Sequence, residues 1–128
     1  VDPALLRDFD AGSASEAEVR AAIREVWETA GYLMDPHTAC AWVVWDKLGR
    51  PADHVILATA SPFKFPLVLQ QALTGQGEDE AQALAYLSTL APTHPALAGI
   101  FERPRLHERV IDAQAMREEF IRFKGDNR

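Results

Sequence analysis

Cysteine occurs once, at Cys40, in a chain of 128 residues. No intrachain disulfide can form, which fits a reducing, cytoplasmic setting. Cys40 sits inside the apolar run Ala39–Trp45, so we read it as an inert buried thiol and not a nucleophile. No apolar run approaches the ~18 residues of a membrane span. The first residues carry acidic side chains and no apolar h-region, unlike a signal peptide. A first residue of Val in place of Met suits a processed product or an excerpt. Positive charge is scarce, with 13 Lys and Arg against 19 Asp and Glu, a formal net charge of −6. That balance argues against nucleic acid, whose phosphates would repel it, and against an anionic membrane surface. The four histidines, His37, His54, His94 and His107, are scattered and give no metal-ligand pattern. No Ser/His/Asp arrangement follows from spacing. No glycine-rich phosphate loop is present: Gly75-Gln76-Gly77 follows an expected helix, not a strand. Repeats and low-complexity segments are also missing.

What is present is ordinary for a folded domain. Hydrophobic residues make up 48% and charged residues 25%, enough for a real core at this length. Residues 1–14 read as an irregular lead-in, with Leu5, Leu6 and Phe9 on one short apolar face before Gly12-Ser13 breaks the pattern. Ser15 and Glu18 form a capping box for a helix to Ala30, with Val19, Ile23, Val26, Trp27 and Ala30 on one stripe and Gly31 as its stop. Asp35 and Pro36 open a second helix, to about Leu48, apolar on nearly every face. A strand is the alternative for Trp42–Trp45. Pro66 opens a helix ended by Gly75, and Asp79–Leu90 is a further helix with Ala83, Leu84, Leu87 and Leu90 inward. Ala96–Phe101 suits one short helical turn, and Arg103-Pro104-Arg105 an extended connector. His107–Ile111 suits a short strand. Asp112 caps a last helix with Ala113, Met116, Phe120 and Phe123 as its stripe.

The most informative stretch lies between these helices. Val55-Ile56-Leu57-Ala58 reads as a short, fully buried strand, since four apolar residues in a row leave no wet face. Thr59-Ala60-Ser61-Pro62 ends it, because Pro cannot donate to a ladder. Thr59, Ser61 and Lys64 then stand beyond a strand's carboxyl end, where open α/β sheets bind ligands. One buried strand needs neighbours on both edges, and this chain does not supply them. The missing strands therefore point to another part of the same polypeptide. The expectation is an α/β, helix-rich chain of about five helices with one or two short strands.

Two motifs carry a family resemblance. Gly31-Tyr32-Leu33-Met34-Asp35-Pro36-His37-Thr38-Ala39, followed about twenty residues later by Thr59-Ala60-Ser61-Pro62-Phe63-Lys64-Phe65, resembles the C-terminal part of threonine synthase, in order and spacing. The resemblance extends more loosely from about Ser15 to the C-terminus. It implies that residues 15–128 are the C-terminal segment of a pyridoxal-phosphate (PLP) dependent large domain of fold type II, the tryptophan synthase beta-like fold. It implies a lyase that converts O-phospho-L-homoserine and water to L-threonine and phosphate, with the remaining N-terminal part of the enzyme as partner. It also implies that Thr59 meets the cofactor's ring nitrogen, a task a hydroxyl can perform; the alternative is a threonine that caps the next turn. The family's Schiff-base lysine lies earlier than this segment, so Lys64 is not assigned that role, and no catalytic residue is assigned here. Lys64 is then a pocket-side or a solvated lysine, and Ser61 a pocket residue or the cap of the Pro62 turn. Asp35, His37 and Thr38 are pocket-lining candidates or a packing and capping motif. Two other readings stay open: a non-catalytic helical interaction domain that retains the motifs, and a threonine synthase-like phospho-lyase on a related substrate.

Overall fold

The computed structural model describes residues 9–106 and 110–126, with side chains to residue 124. Five α-helices run through them: α1 (Glu16–Ala30), α2 (Pro36–Lys47), α3 (Pro66–Thr74), α4 (Glu80–Leu90) and α5 (Met116–Asp126). Short 3-10 turns cover Pro62–Lys64, Pro95–Leu97, Ile100–Glu102 and Ala113–Ala115. The described residues fall into two compact units, divided between Ala98 and Gly99.

In the first unit α1 packs on α2 and on α3, and α4 packs on the other side of α3. Helices α1, α2 and α4 begin on side-chain caps. Ser15 and Glu18 make the reciprocal capping box of α1, and Gly31 ends it at φ 63°, the left-handed conformation glycine adopts at no steric cost. Asp35 caps α2, with Pro36 in the first turn, where a missing N–H is no loss. Asp79 caps α4 by accepting from the Gln82 N–H. The core gathers Ile23 and Val26 of α1, Leu33 and Met34 of the connector, Ala39 and Val43 of α2, Phe63, Leu69 and Ala72, and Leu87 of α4. Arg24 of α1 donates from Nε to the Ala72 carbonyl at 2.8 Å, fastening α1 to α3. The second unit holds two of the 3-10 turns and α5, and its apolar stripe (Met116, Phe120, Phe123) is exposed.

Several expectations need correction. No strand is present among the described residues. Val55–Ala58 belongs to no helix or strand, and Val55 and Leu57 are 83% and 73% exposed, not buried. No strand flanks it among the described residues, and four apolar residues in a row are buried as a strand only when neighbouring strands flank them. Of the expected His107–Ile111 strand, residues 107–109 lie outside the described residues, and Val110 and Ile111 are irregular and exposed. Leu5 and Leu6 of the expected N-terminal face also lie outside them; Phe9 is exposed. Cys40 is half-buried rather than buried, because α2 turns that face away from the core. The expected single turn at Ala96–Phe101 is two 3-10 turns, separated at Gly99 in the left-handed region.

Candidate functional site

The site grows from the first turn of α2. Asp35 has extended backbone and points its carboxylate at the helix start, where free N–H groups need acceptors. Oδ1 accepts from the His37 N–H at 2.9 Å and the Thr38 N–H at 3.4 Å, and lies 3.2 Å from His37 Nδ1. Oδ2 accepts from the Thr38 hydroxyl. The carboxylate is 2% exposed. Burial pushes its pKa up, but the Thr38 hydroxyl, the two backbone N–H groups and the His37 ring outweigh that and hold it below the usual carboxylate range. Asp35, His37 and Thr38 thus form one hydrogen-bonded cluster, the capping motif at the start of α2.

The His37 ring connects this cluster to the second motif. It lies 5.0 Å, centroid to centroid and tilted by 59°, from the ring of Phe65. Phe63, two residues earlier in the Pro62–Lys64 3-10 helix, is buried in the core and anchors that segment. The His37 side chain itself stays 64% exposed. The contact between His37 and Phe65 was not legible in the sequence, since neither spacing nor periodicity predicts which aromatic meets a helix N-terminus.

The other three candidates are placed differently. Thr59 follows the Val55–Ala58 run, is exposed, and its hydroxyl makes no hydrogen bond among the described residues. Ser61 stands at the start of the 3-10 turn, where its carbonyl accepts from the Lys64 N–H while its side chain makes no capping bond. Lys64 is exposed. No hydrogen bond or ion pair among the described residues joins these three side chains to Asp35, His37 or Thr38. A braced turn precedes the Val55–Ala58 run. Arg50 takes a positive φ of 56°, and its guanidinium pairs with Asp46 at 2.5 Å and Glu25 at 3.7 Å. Trp45 Nε1 donates to the Pro51 carbonyl at 3.0 Å.

A wide open cleft between α1 and α3, lined by Arg20, Arg24, Glu25, Glu28, Gln70 and Gln71 among others, contains none of the six candidates. Its charges are of both signs and it lacks an enclosed floor, so it does not define a ligand class. Among the described residues no group of three His, Cys, Asp or Glu side chains is placed to hold a metal ion. No helix among them is long and apolar enough to cross a membrane.

Comparison with known proteins bears on the same residues. The model of the family described as threonine synthase, C-terminal, matches residues 38–121, which include Thr59, Ser61 and Lys64 and begin at Thr38. Human threonine synthase-like 1 is 36% identical over 112 residues, 83% of this chain and 15% of that protein. Mouse threonine synthase-like 1 is 34% identical over 99 residues, 73% of this chain and 13% of that protein. Threonine synthase of Pseudomonas aeruginosa is 35% identical over 98 residues, 74% of this chain and 18% of that protein. The chain therefore spans less than a fifth of the length of these relatives.

Proposed function

Because the chain belongs to the threonine synthase family and matches its C-terminal part, we propose that it is the C-terminal segment (residues 15–128) of a PLP-dependent lyase. That enzyme converts O-phospho-L-homoserine and water to L-threonine and phosphate. The single observation that carries this reading is the state of Val55–Thr59. It is an exposed, largely apolar stretch outside any helix, with no ladder partner among the described residues. Apolar strands with both edges open are a liability unless a sheet receives them. In this reading the N-terminal part of the polypeptide supplies that sheet, and Thr59 arrives at its carboxyl edge, where such sheets bind ligands.

The residues present suit one part of the cofactor. When bound, PLP supplies an electron sink for carbon–hydrogen and carbon–oxygen bond cleavage. The Thr59 hydroxyl has no hydrogen-bond partner among the described residues and is a donor of the kind an unprotonated pyridine nitrogen accepts. Ser61 and Lys64, on the next turn, are proposed to line the same pocket, with Asp35, His37 and Thr38 beyond Phe65. The phosphate cradle and the reactive lysine are assigned to the N-terminal part. The segment alone is then inactive, and its setting is the cytoplasm. The self-contained core of the first unit favours one other reading, a non-catalytic helical interaction domain.

The test uses the full-length polypeptide that carries this chain. With O-phosphohomoserine it should release phosphate and threonine in equal amounts. Thr59→Ala should loosen the cofactor, and Thr59→Ser should retain it. Phosphate without threonine would move the assignment to a related phospho-lyase. Release of neither would leave the interaction domain.

A further inference from the structure

We propose that the last turn of α2 is a clamp that sets the register between the polypeptide arriving ahead of α1 and the Val55–Thr59 run, with Gly12 and Lys47 as its positioning residues. The proposal rests on the lyase reading above, in which the N-terminal part supplies a sheet and Thr59 must meet it in one place. The geometry that points to it is the use made of consecutive residues in α2. Val44 and Lys47, three apart and so neighbours on one face, hold the incoming segment. Trp45 and Asp46, between them, hold the outgoing turn.

The incoming segment crosses α2 at Gly12. A Cβ at this position would stand 2.9 Å from Val44 Cγ1 and 3.2 Å from Cγ2, inside the ~3.5–4.0 Å of a good carbon–carbon contact. Gly12 lies outside the left-handed region, so the need here is for room and not for a backbone that glycine alone adopts. Val44 does not swing aside easily, since a branched side chain in a helix has one strongly preferred rotamer. One residue on, the Ser13 carbonyl accepts from Lys47 Nζ at 2.9 Å, and Lys47 reaches Glu18 of α1 at 2.7 Å. Ala14 then packs against the core. The capping box of α1 is complete with Ser15 and Glu18, so α1 does not need this strap in order to start.

The outgoing turn is held at the same place. The Arg50 N–H donates to the Trp45 carbonyl at 3.0 Å. Its guanidinium meets Asp46, and Trp45 Nε1 donates to the Pro51 carbonyl. The segments pinned at 12–14 and at 50–51 therefore shift against each other only if these contacts break. One leads back toward the N-terminal part and the other leads on to Thr59. In the lyase reading, the clamp thus sets where Thr59 stands against the cofactor that the N-terminal part holds.

The test again uses the full-length polypeptide, and follows amide exchange at 53–60 beside turnover. Gly12→Ala pushes the strap off Val44. Exchange at 53–60 should quicken while α3 and α4 keep wild-type protection, a pattern that a general loss of stability does not give. Turnover should fall by up to about 10²-fold, the effect of roughly 1 Å of misplacement. On a Val44→Ala background, where the two methyl groups are gone, Gly12→Ala should change neither readout further. Lys47→Met frees the Ser13 carbonyl without adding bulk to the strap. It should also quicken exchange at 53–60, and it answers the question even if Gly12→Ala folds poorly. Wild-type exchange at 53–60 in both variants overturns the clamp and leaves the lyase reading standing. So does exchange that quickens equally across α3 and α4, or a Gly12→Ala effect undiminished by Val44→Ala. A wild type that releases neither phosphate nor threonine overturns the lyase reading and the clamp's bearing on the cofactor, while the exchange pattern still decides the clamp itself.

Discussion

Asp35 shows how much one side chain can do at a helix start. It closes the first turn of α2, orients His37, and receives the Thr38 hydroxyl, all while buried. Its pKa is held below the ordinary 3.8 because hydrogen bonds outweigh burial. A carboxyl with a depressed folded-state pKa adds stability that is present above its unfolded value and is lost as pH falls through the folded one. Asp35→Asn keeps a capping oxygen but loses the charge and mismatches the Thr38 hydroxyl. Urea melts at neutral pH should show the variant less stable by about 1–2 kcal/mol. As pH falls below ~3.8 the gap between wild type and variant should narrow, and close as native Asp35 protonates at its lower folded-state value. A gap that keeps its size down to acid pH would mean the carboxylate's charge contributes nothing.

At the scale of elements, the joint between α1 and α2 is set by Glu18. This residue completes the α1 capping box and meets Lys47, in the last turn of α2, at 2.7 Å. Lys47 also donates to the Ser13 carbonyl at 2.9 Å, so the lead-in is tied to the same point. The Lys47 ammonium, with the Ser15 backbone and hydroxyl, holds the Glu18 carboxyl down at about 2. Glu18→Gln retains the capping box, which accepts Glu or Gln, and removes only the ion pair. Any stability lost in this variant should be present above pH ~4.5, fade as pH falls toward 2, and shrink in high salt, since the pair is half-exposed. Thermal melts of both proteins across that range and at two salt concentrations would show it; a difference indifferent to salt would assign the effect to the cap instead.

The five helices were legible because caps and stripes are local: Ser15 with Glu18, Asp35 with Pro36, and Asp79 before Glu80 lie within a turn of the N–H groups they serve. Val55–Ala58 reads as a buried strand in the sequence, but it is neither paired nor buried among the described residues. Burial of a strand depends on neighbours far away in sequence, and these relatives are more than five times longer than the part this chain matches. The same limit applies to the site: Asp35 and Thr38 could be grouped from their spacing, but the Phe65 contact needed the fold.

The whole molecule presents two different surfaces to water. The first unit closes around a core in which Ile23, Leu69 and Leu87 are fully buried. The second, from Gly99, leaves Ile100, Phe101, Met116, Phe120, Ile121 and Phe123 exposed, and the Val55–Leu57 segment adds to this in the first. Proteins that stand alone rarely keep so much apolar surface open. If the N-terminal part of the polypeptide covers it, the chain by itself should bind a hydrophobic dye such as ANS, and the full-length polypeptide should not. Hydrogen exchange should be fast at 53–60 and across α5 in the isolated chain, and slow at both in the full-length protein, while α1–α4 keep their protection in each. The two observations are separable. Protection that appears only at 53–60 would mean that the sheet is completed without α5. Protection at neither site would remove the structural basis for treating this chain as half of a larger fold, and the exposed stripe of α5 would then need a partner outside the polypeptide.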